Sequence, residues 1–103
     1  MQWMMHSADD MDEEKRMDIE FAKSMSGHDR NQIYLVKEKD EKFVYLINGT
    51  TKTIDSPKKK SLNHVQLIKK LPVEVLDCIA LGMTDINVKR AIKQYRIIKQ
   101  EDL

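Results

Sequence analysis

KFVYLINGTTKTI, residues Lys42 to Ile54, is the stretch whose reading decides the fold. Lys42 to Ile47 is dense in aromatic and β-branched side chains, which fit a pleated, half-buried surface, so it reads as a strand. Asn48-Gly49 follows at once. Both residues tolerate the positive φ of a type I′ turn, and Thr50 to Ile54 is expected to return as the antiparallel partner. Working outward, Lys39, Asp40 and Glu41 form a polar turn, and Gln32 to Glu38 (QIYLVKE) is a second strand. Met25 to Asn31 (MSGHDRN) is a loop in which Gly27 and Asn31 are the residues able to take positive φ. Before it, Ile19, Phe21 and Lys23 alternate with Glu20 and Ala22 as a short strand. On the other side, Asp55-Ser56-Pro57 ends the returning strand. Lys58-Lys59-Lys60 runs through an irregular connector, and Leu62 to Leu67 closes the series as a fifth strand or a helical turn, the strand preferred. Five short strands in about fifty residues predict a small curled β-barrel rather than an open sheet. Ile33, Leu35, Val44, Leu46 and Ile54 are expected to build its core, with Tyr34, Phe43 and Tyr45 on the other face and under the helices that follow.

Those helices occupy the tail. Pro72 suits a first helical turn, Val75, Leu76, Ile79 and Ala80 share a face, and Gly82 is a natural stop. Thr84 can cap a second helix, with Asp85 near its positive end. There Val88, Ala91, Ile92, Tyr95 and Ile98 fall on one arc, and Lys89, Lys93 and Arg96 on the facing arc. The 103 residues suffice for one domain. The division expected is an acidic, disordered arm at 1–16, the barrel at 17–70 and a two-helix tail at 71–103. The fold class is therefore mainly β with an α tail.

Composition narrows the function classes. Of the residues, 41% are hydrophobic and 34% charged, ordinary for a small globular chain. No apolar run is long enough for a membrane span. Met1 to Arg16 does not read as a secretory signal, and the lone Cys78 cannot pair internally, so a reducing, cytoplasmic setting is expected. The net charge of +1 hides an asymmetry. Residues 1–20 carry seven acids and two bases, whereas residues 21–103 carry ten acids and sixteen bases. A basic body points towards a polyanion, against the plainer reading of a solvated lysine-rich surface.

Little supports catalysis. His6, His28 and His64 lack metal-ligand spacing with one another or with Cys78, which reads as a small core filler in LDCIALG. There is no glycine-rich phosphate loop and no serine nucleophile elbow. Neither an enzyme, a cofactor nor a metal is expected. The match of Asn48-Gly49-Thr50 to a glycosylation site is accounted for by the turn. The helix pair superficially suits a DNA-binding helix-turn-helix, but such units pack on further helices, and here there are two.

The run KSMSGHDRNQIYLV, Lys23 to Val36, resembles the KOW motif, whose pattern is roughly Ser-x-x-Gly-x-x-x-Gly followed by a strand. VYLINGTTKTIDSPKKKSLNHVQL and the tail TDINVKRAIKQY resemble one branch of it. That branch holds the small bacterial KOW-domain proteins similar to the archaeal and eukaryotic large-subunit ribosomal protein fourteen. The shared marks are Asn48-Gly49, Pro57-Lys58-Lys59-Lys60 and Leu62-Asn63-His64, and coverage runs from about Met17 to Tyr95. Asn31 stands where the pattern has its second glycine, and asparagine is the best substitute in left-handed backbone.

The resemblance implies an SH3-like, five-stranded, partly open β-barrel followed by two short helices. It implies an RNA-binding, ribosome-associated protein of translation, whose partners are ribosomal RNA and neighbouring ribosomal proteins, with no membrane and no small-molecule substrate. Lys23, Arg30, Lys58, Lys59 and Lys60 would supply charge to phosphates, Ser26 and Gly27 close backbone approach, and His28 and His64 stacking or hydrogen bonds. Reversing the three lysines to Glu is then expected to abolish binding at little thermal cost. The alternative is an SH3-like protein–protein interaction module that has lost RNA binding, and a further one is that the acidic arm masks the basic rim.

Overall fold

The computed structural model describes residues 19–99; the arm assigned to 1–16, with its masking role, lies outside the described residues. The elements are β1 (Phe21–Ser24), β2 (Ile33–Lys39), β3 (Phe43–Ile47), β4 (Lys58–Ser61), a 3₁₀ turn (Leu62–His64), β5 (Val65–Ile68), α1 (Val73–Ile79) and α2 (Asp85–Lys99). The strands form one antiparallel sheet in the order β4-β3-β2-β1-β5. The chain is thus mainly β with a helical tail. Among the described residues no ladder joins β4 to β5, so the sheet is not closed.

Alternation sorts the apolar side chains onto two faces. Phe21 pairs with Leu35 and Leu35 with Ile47, which places all three on one face with Ile33. The helices cover that face with Val75, Ile79, Val88, Ala91, Ile92 and Tyr95, and Phe21 meets Tyr95 edge to face at 5.4 Å. On the other face Ala22, Tyr34, Val44 and Leu46 form a second cluster. A bulge between Val36 and Glu38 bends β2, the central strand, and adds to the twist that curls the sheet over this cluster.

This register corrects the expected core. Ile33 and Leu35 lie under the helices, whereas Val44 and Leu46 lie on the opposite face with Tyr34, which was expected under the helices. Ile54 is half-buried against the helix-side cluster. Phe43 and Tyr45 are half-buried and belong to neither cluster. On the tail, Ala80 and Ile98 are exposed. Leu76 is half-buried, whereas Val75, Ile79, Val88, Ala91, Ile92 and Tyr95 are buried as the periodicity predicts, and Thr84 Oγ1 accepts from the Asn87 N–H at 3.2 Å as a cap.

The hairpin at Asn48-Gly49 does not form. A type I′ turn needs positive φ at both residues, and only Gly49 has it, at 81°. The Asn48 side chain instead accepts from the backbone N–H groups of Thr50 and Lys52, both at 2.9 Å, and winds the segment into a wide loop. Thr50 to Ile54 is not a strand; one isolated bridge, Thr53 to Ser56, is all it contributes. The partner of β3 is β4, made of the lysines expected in a connector. Lysines serve an edge strand because they oppose pairing with another chain. The closing segment is both things weighed for it, a 3₁₀ turn and then a strand.

Gly49 has a different task. A Cβ there would collide with the Asp85 carbonyl oxygen and sit 2.9 Å from the Lys89 nitrogen. The loop therefore lies directly against the start of α2. The Asp85 carboxylate accepts from the Ile54 N–H at 2.9 Å, pinning helix to loop. Gly49→Ala combines a left-handed strain of about 1 kcal/mol with this clash, and should cost about 2–4 kcal/mol in total. The thermal midpoint should fall by roughly 10 °C or more, read by circular dichroism.

Candidate nucleic-acid interface

β1 ends at Ser24, and the chain turns through residues 25–32 before β2. The loop is held by its own backbone: Asn31 N–H to Ser24 O at 2.8 Å, Ser24 N–H to Gln32 O at 3.0 Å, and Gln32 N–H to Asp29 O at 2.9 Å. Gly27 takes φ 88° and Asn31 φ 73°, as their side chains allow. Met25 N–H donates to His64 O at 2.8 Å, which ties the loop to the 3₁₀ turn.

The loop turns one carboxylate inward. Asp29 Oδ1 accepts from Ser24 Oγ at 2.9 Å and Lys60 Nζ at 3.0 Å. Its Oδ2 accepts from Tyr34 Oη and Lys58 Nζ, both at 2.8 Å. Lys60 also donates to Ser26 O at 3.0 Å, as does Ser24 Oγ at 3.1 Å. Lys58 and Lys60 reach the same acid because residues two apart on a strand share a face. Lys59 points the other way and lies over the Phe43 ring at 4.2 Å.

The Asp29 side chain is 12% exposed and that of Lys60 11%. Burial by itself works against the Asp29 carboxylate. Hydrogen bonds from Lys58, Lys60, Tyr34 and Ser24 more than offset it and hold the carboxyl well below its ordinary value. Tyr34 is pushed up from its ordinary value by burial, and further by its bond to the Asp29 anion.

The expected site residues are therefore sorted. Ser26, Gly27, Lys58 and Lys60 do come together at one rim, with His64 alongside through its backbone. Lys58 and Lys60 spend their charge on Asp29 rather than on solvent. Lys59 faces away from them. His28, Arg30 and the His64 side chain are exposed, and Lys23 is half-buried on β1.

Two parts of the site were not read from the sequence. The first is the Asp29–Tyr34–Ser24 cluster; the only trace of it was an acid in a loop facing lysines at i and i+2. The second is the approach of Lys23 to the basic arc of α2: Lys23, Asn31 and Arg96 line one hollow, which adjoins another lined by Gln32, Lys89 and Lys93. Among the described residues no group of His, Cys, Asp and Glu stands together to hold a metal ion. Cys78 is half-buried, its Sγ donating to Glu74 O at 3.4 Å. No helix among the described residues is long and apolar enough to cross a membrane.

Compared with protein-family models and with curated proteins, the chain matches none.

The cluster makes a pH prediction. The folded Asp29 carboxyl titrates below its unfolded value of 3.8, so its stabilisation is complete above that value and is lost as pH falls below it. Tyr34 acts in the opposite sense: its contribution is complete below 10.0 and is lost as pH rises beyond it. Asp29→Asn leaves two lysines without their anion, one nearly buried, and should cost about 2–4 kcal/mol at neutral pH. Urea titrations from acid to neutral pH should show the variant losing less stability on acidification than the parent.

Proposed function

We propose that the chain binds RNA, as a ribosome-associated protein with an SH3-like, KOW-type barrel, and that it does so by neutralising phosphates rather than by chemistry. What supports the barrel is the curled five-stranded sheet, bulged at its centre and open on one side, with a β1–β2 loop held by positive φ at Gly27 and Asn31. The observation that carries the function is the charge of the loop. Its one carboxylate is turned inward and matched by two lysines, so the loop exposes Arg30 and His28 with no unpaired carboxylate of its own. An exposed guanidinium on a rigid loop suits a phosphate or the face of an unstacked base.

In this reading Lys58 and Lys60 are positioning residues, and the test changes accordingly. Reversing Lys58-Lys59-Lys60 to Glu would set two carboxylates against Asp29, so loss of binding would follow from loss of the loop. Arg30→Glu is the informative variant. As an exposed change it should leave stability within about 0.5 kcal/mol. The parent protein is expected to sediment with the large ribosomal subunit at low salt and to retreat at high salt. Arg30→Glu should leave the subunit at a salt the parent withstands.

A protein–protein module remains the second reading, favoured by exposed Leu81, Met83 and Ile86 around the turn between α1 and α2. That version expects association that ignores ribonuclease and salt and that fails in Leu81→Ser/Ile86→Ser. Ribonuclease-sensitive sedimentation retained by that double variant would count against it.

A further inference from the structure

The base of the loop continues into a groove. Lys23 and Asn31 form one end, and Arg96, Lys93 and Lys89 line the side supplied by α2. The two hollows adjoin, with Ile33 and Arg96 in the walls of both. Lys89, Lys93 and Arg96 follow one another at helical spacing, so their heads cover about 10 Å of the helix. Lys89 and Lys93 are exposed.

The balance of charge here is unlike the rest of the surface. Lys39, Lys58 and Lys60 each meet a carboxylate. Among the described residues Lys23, Lys89 and Lys93 have no ion pair, and no Asp or Glu lines the groove. A solvated basic helix is ordinarily interleaved with acids three or four residues away. In α2 the one acid is Asp85, already spent on the Ile54 N–H. The like charges of Lys23, Lys89 and Lys93, held along these adjoining hollows, repel one another until an anion enters.

The lining also says what sort of anion fits. Its floor is aliphatic, Ile33 and Ile92, and among the described residues no aromatic ring lines it; Tyr95 is turned into the core. Bases would find no stacking platform, whereas a row of phosphates would meet a row of cations. We infer that this groove is a second contact surface, which tracks the sugar–phosphate backbone of an RNA strand without reading its sequence. This rests on the RNA-binding reading, and extends it from the loop that carries Arg30 onto α2.

The test is fluorescence anisotropy with the full chain and labelled oligouridine or oligoadenosine of about 20 nucleotides, over roughly 0.05–0.2 M salt. Lys89→Gln/Lys93→Gln removes two phosphate contacts from exposed positions. With a slope of about 0.7 per contact on single strands, the double variant should bind about 25-fold more weakly at about 0.1 M salt. Its log–log salt slope should be shallower by about 1.4. Both oligonucleotides should lose affinity alike, with an unchanged melting curve. Parent-like affinity and slope in the variant would overturn the groove while leaving RNA binding intact. A loss confined to one oligonucleotide would overturn the claim that the groove ignores sequence. Failure of the parent itself to bind either oligonucleotide at the lowest salt would bring down the RNA-binding reading and this inference with it.

Discussion

A single carboxylate, that of Asp29, ties together parts of the chain that strand pairing alone leaves apart. It joins the loop to β1 through Ser24, to β2 through Tyr34 and to β4 through Lys58 and Lys60. The two strands that supply its ends of the span, β1 and β4, are three places apart in the sheet order. The curl of the sheet brings them within reach of one side chain, and the ion cluster then holds that curl. Burying a charge is costly unless its lone pairs are met, and all four contacts here come from good donors. The arrangement adds little as bulk stabilisation compared with apolar packing of the same volume. Its effect is to fix one loop conformation, since every alternative strands a nearly buried lysine.

The helices depend on a second, tighter constraint. α2 is set against the sheet by Phe21 and Tyr95 at one place and by Gly49, Ile54 and Asp85 at another. The apolar contact is forgiving of small rotations. The contact at Gly49 is not, because no side chain fits between the loop and the helix backbone. That close approach fixes which arc of α2 faces the core and so carries Lys89 and Lys93 to the side of β2 where Lys23 and Asn31 lie. The basic groove is thus a consequence of packing at its far end.

The lysines of this chain consequently do three different jobs. Lys58 and Lys60 neutralise an internal acid, Lys59 covers an aromatic ring, and Lys89 and Lys93 face a groove that no acid among the described residues lines. Nothing in the residue type distinguishes these jobs. What distinguishes them is strand parity in the first two cases and helix placement in the third. The run of three lysines is the most conspicuous basic feature of the sequence, and it is largely spoken for in the fold. The scattered bases of α2 are less conspicuous, yet Lys89 and Lys93 among them are exposed and have no ion pair among the described residues.

Local chemistry alone determined a good deal. The apolar density of Ile33 to Lys39 and Phe43 to Ile47 made them strands, the 3.6-residue period of Val88 to Tyr95 made a helix, and Gly27 and Asn31 were marked for positive φ because few other side chains accept it. Each of these depends on residues within a few positions of one another. The remainder depends on partners far along the chain. Asn48-Gly49 has the composition of a tight turn, yet the loop opens because Gly49 must lie on α2 and Asn48 caps its own backbone. Lys58 to Ser61 has poor strand propensity, yet it pairs because β3 leaves an edge that needs a partner. Leu35 and Leu46 look alike in alternation, but the pairing of Leu35 with Ile47 sends them to opposite faces. Register, and the reach of one buried acid across it, are properties of the folded sheet, because hydrogen bonds between strands have no counterpart in the order of residues along either one.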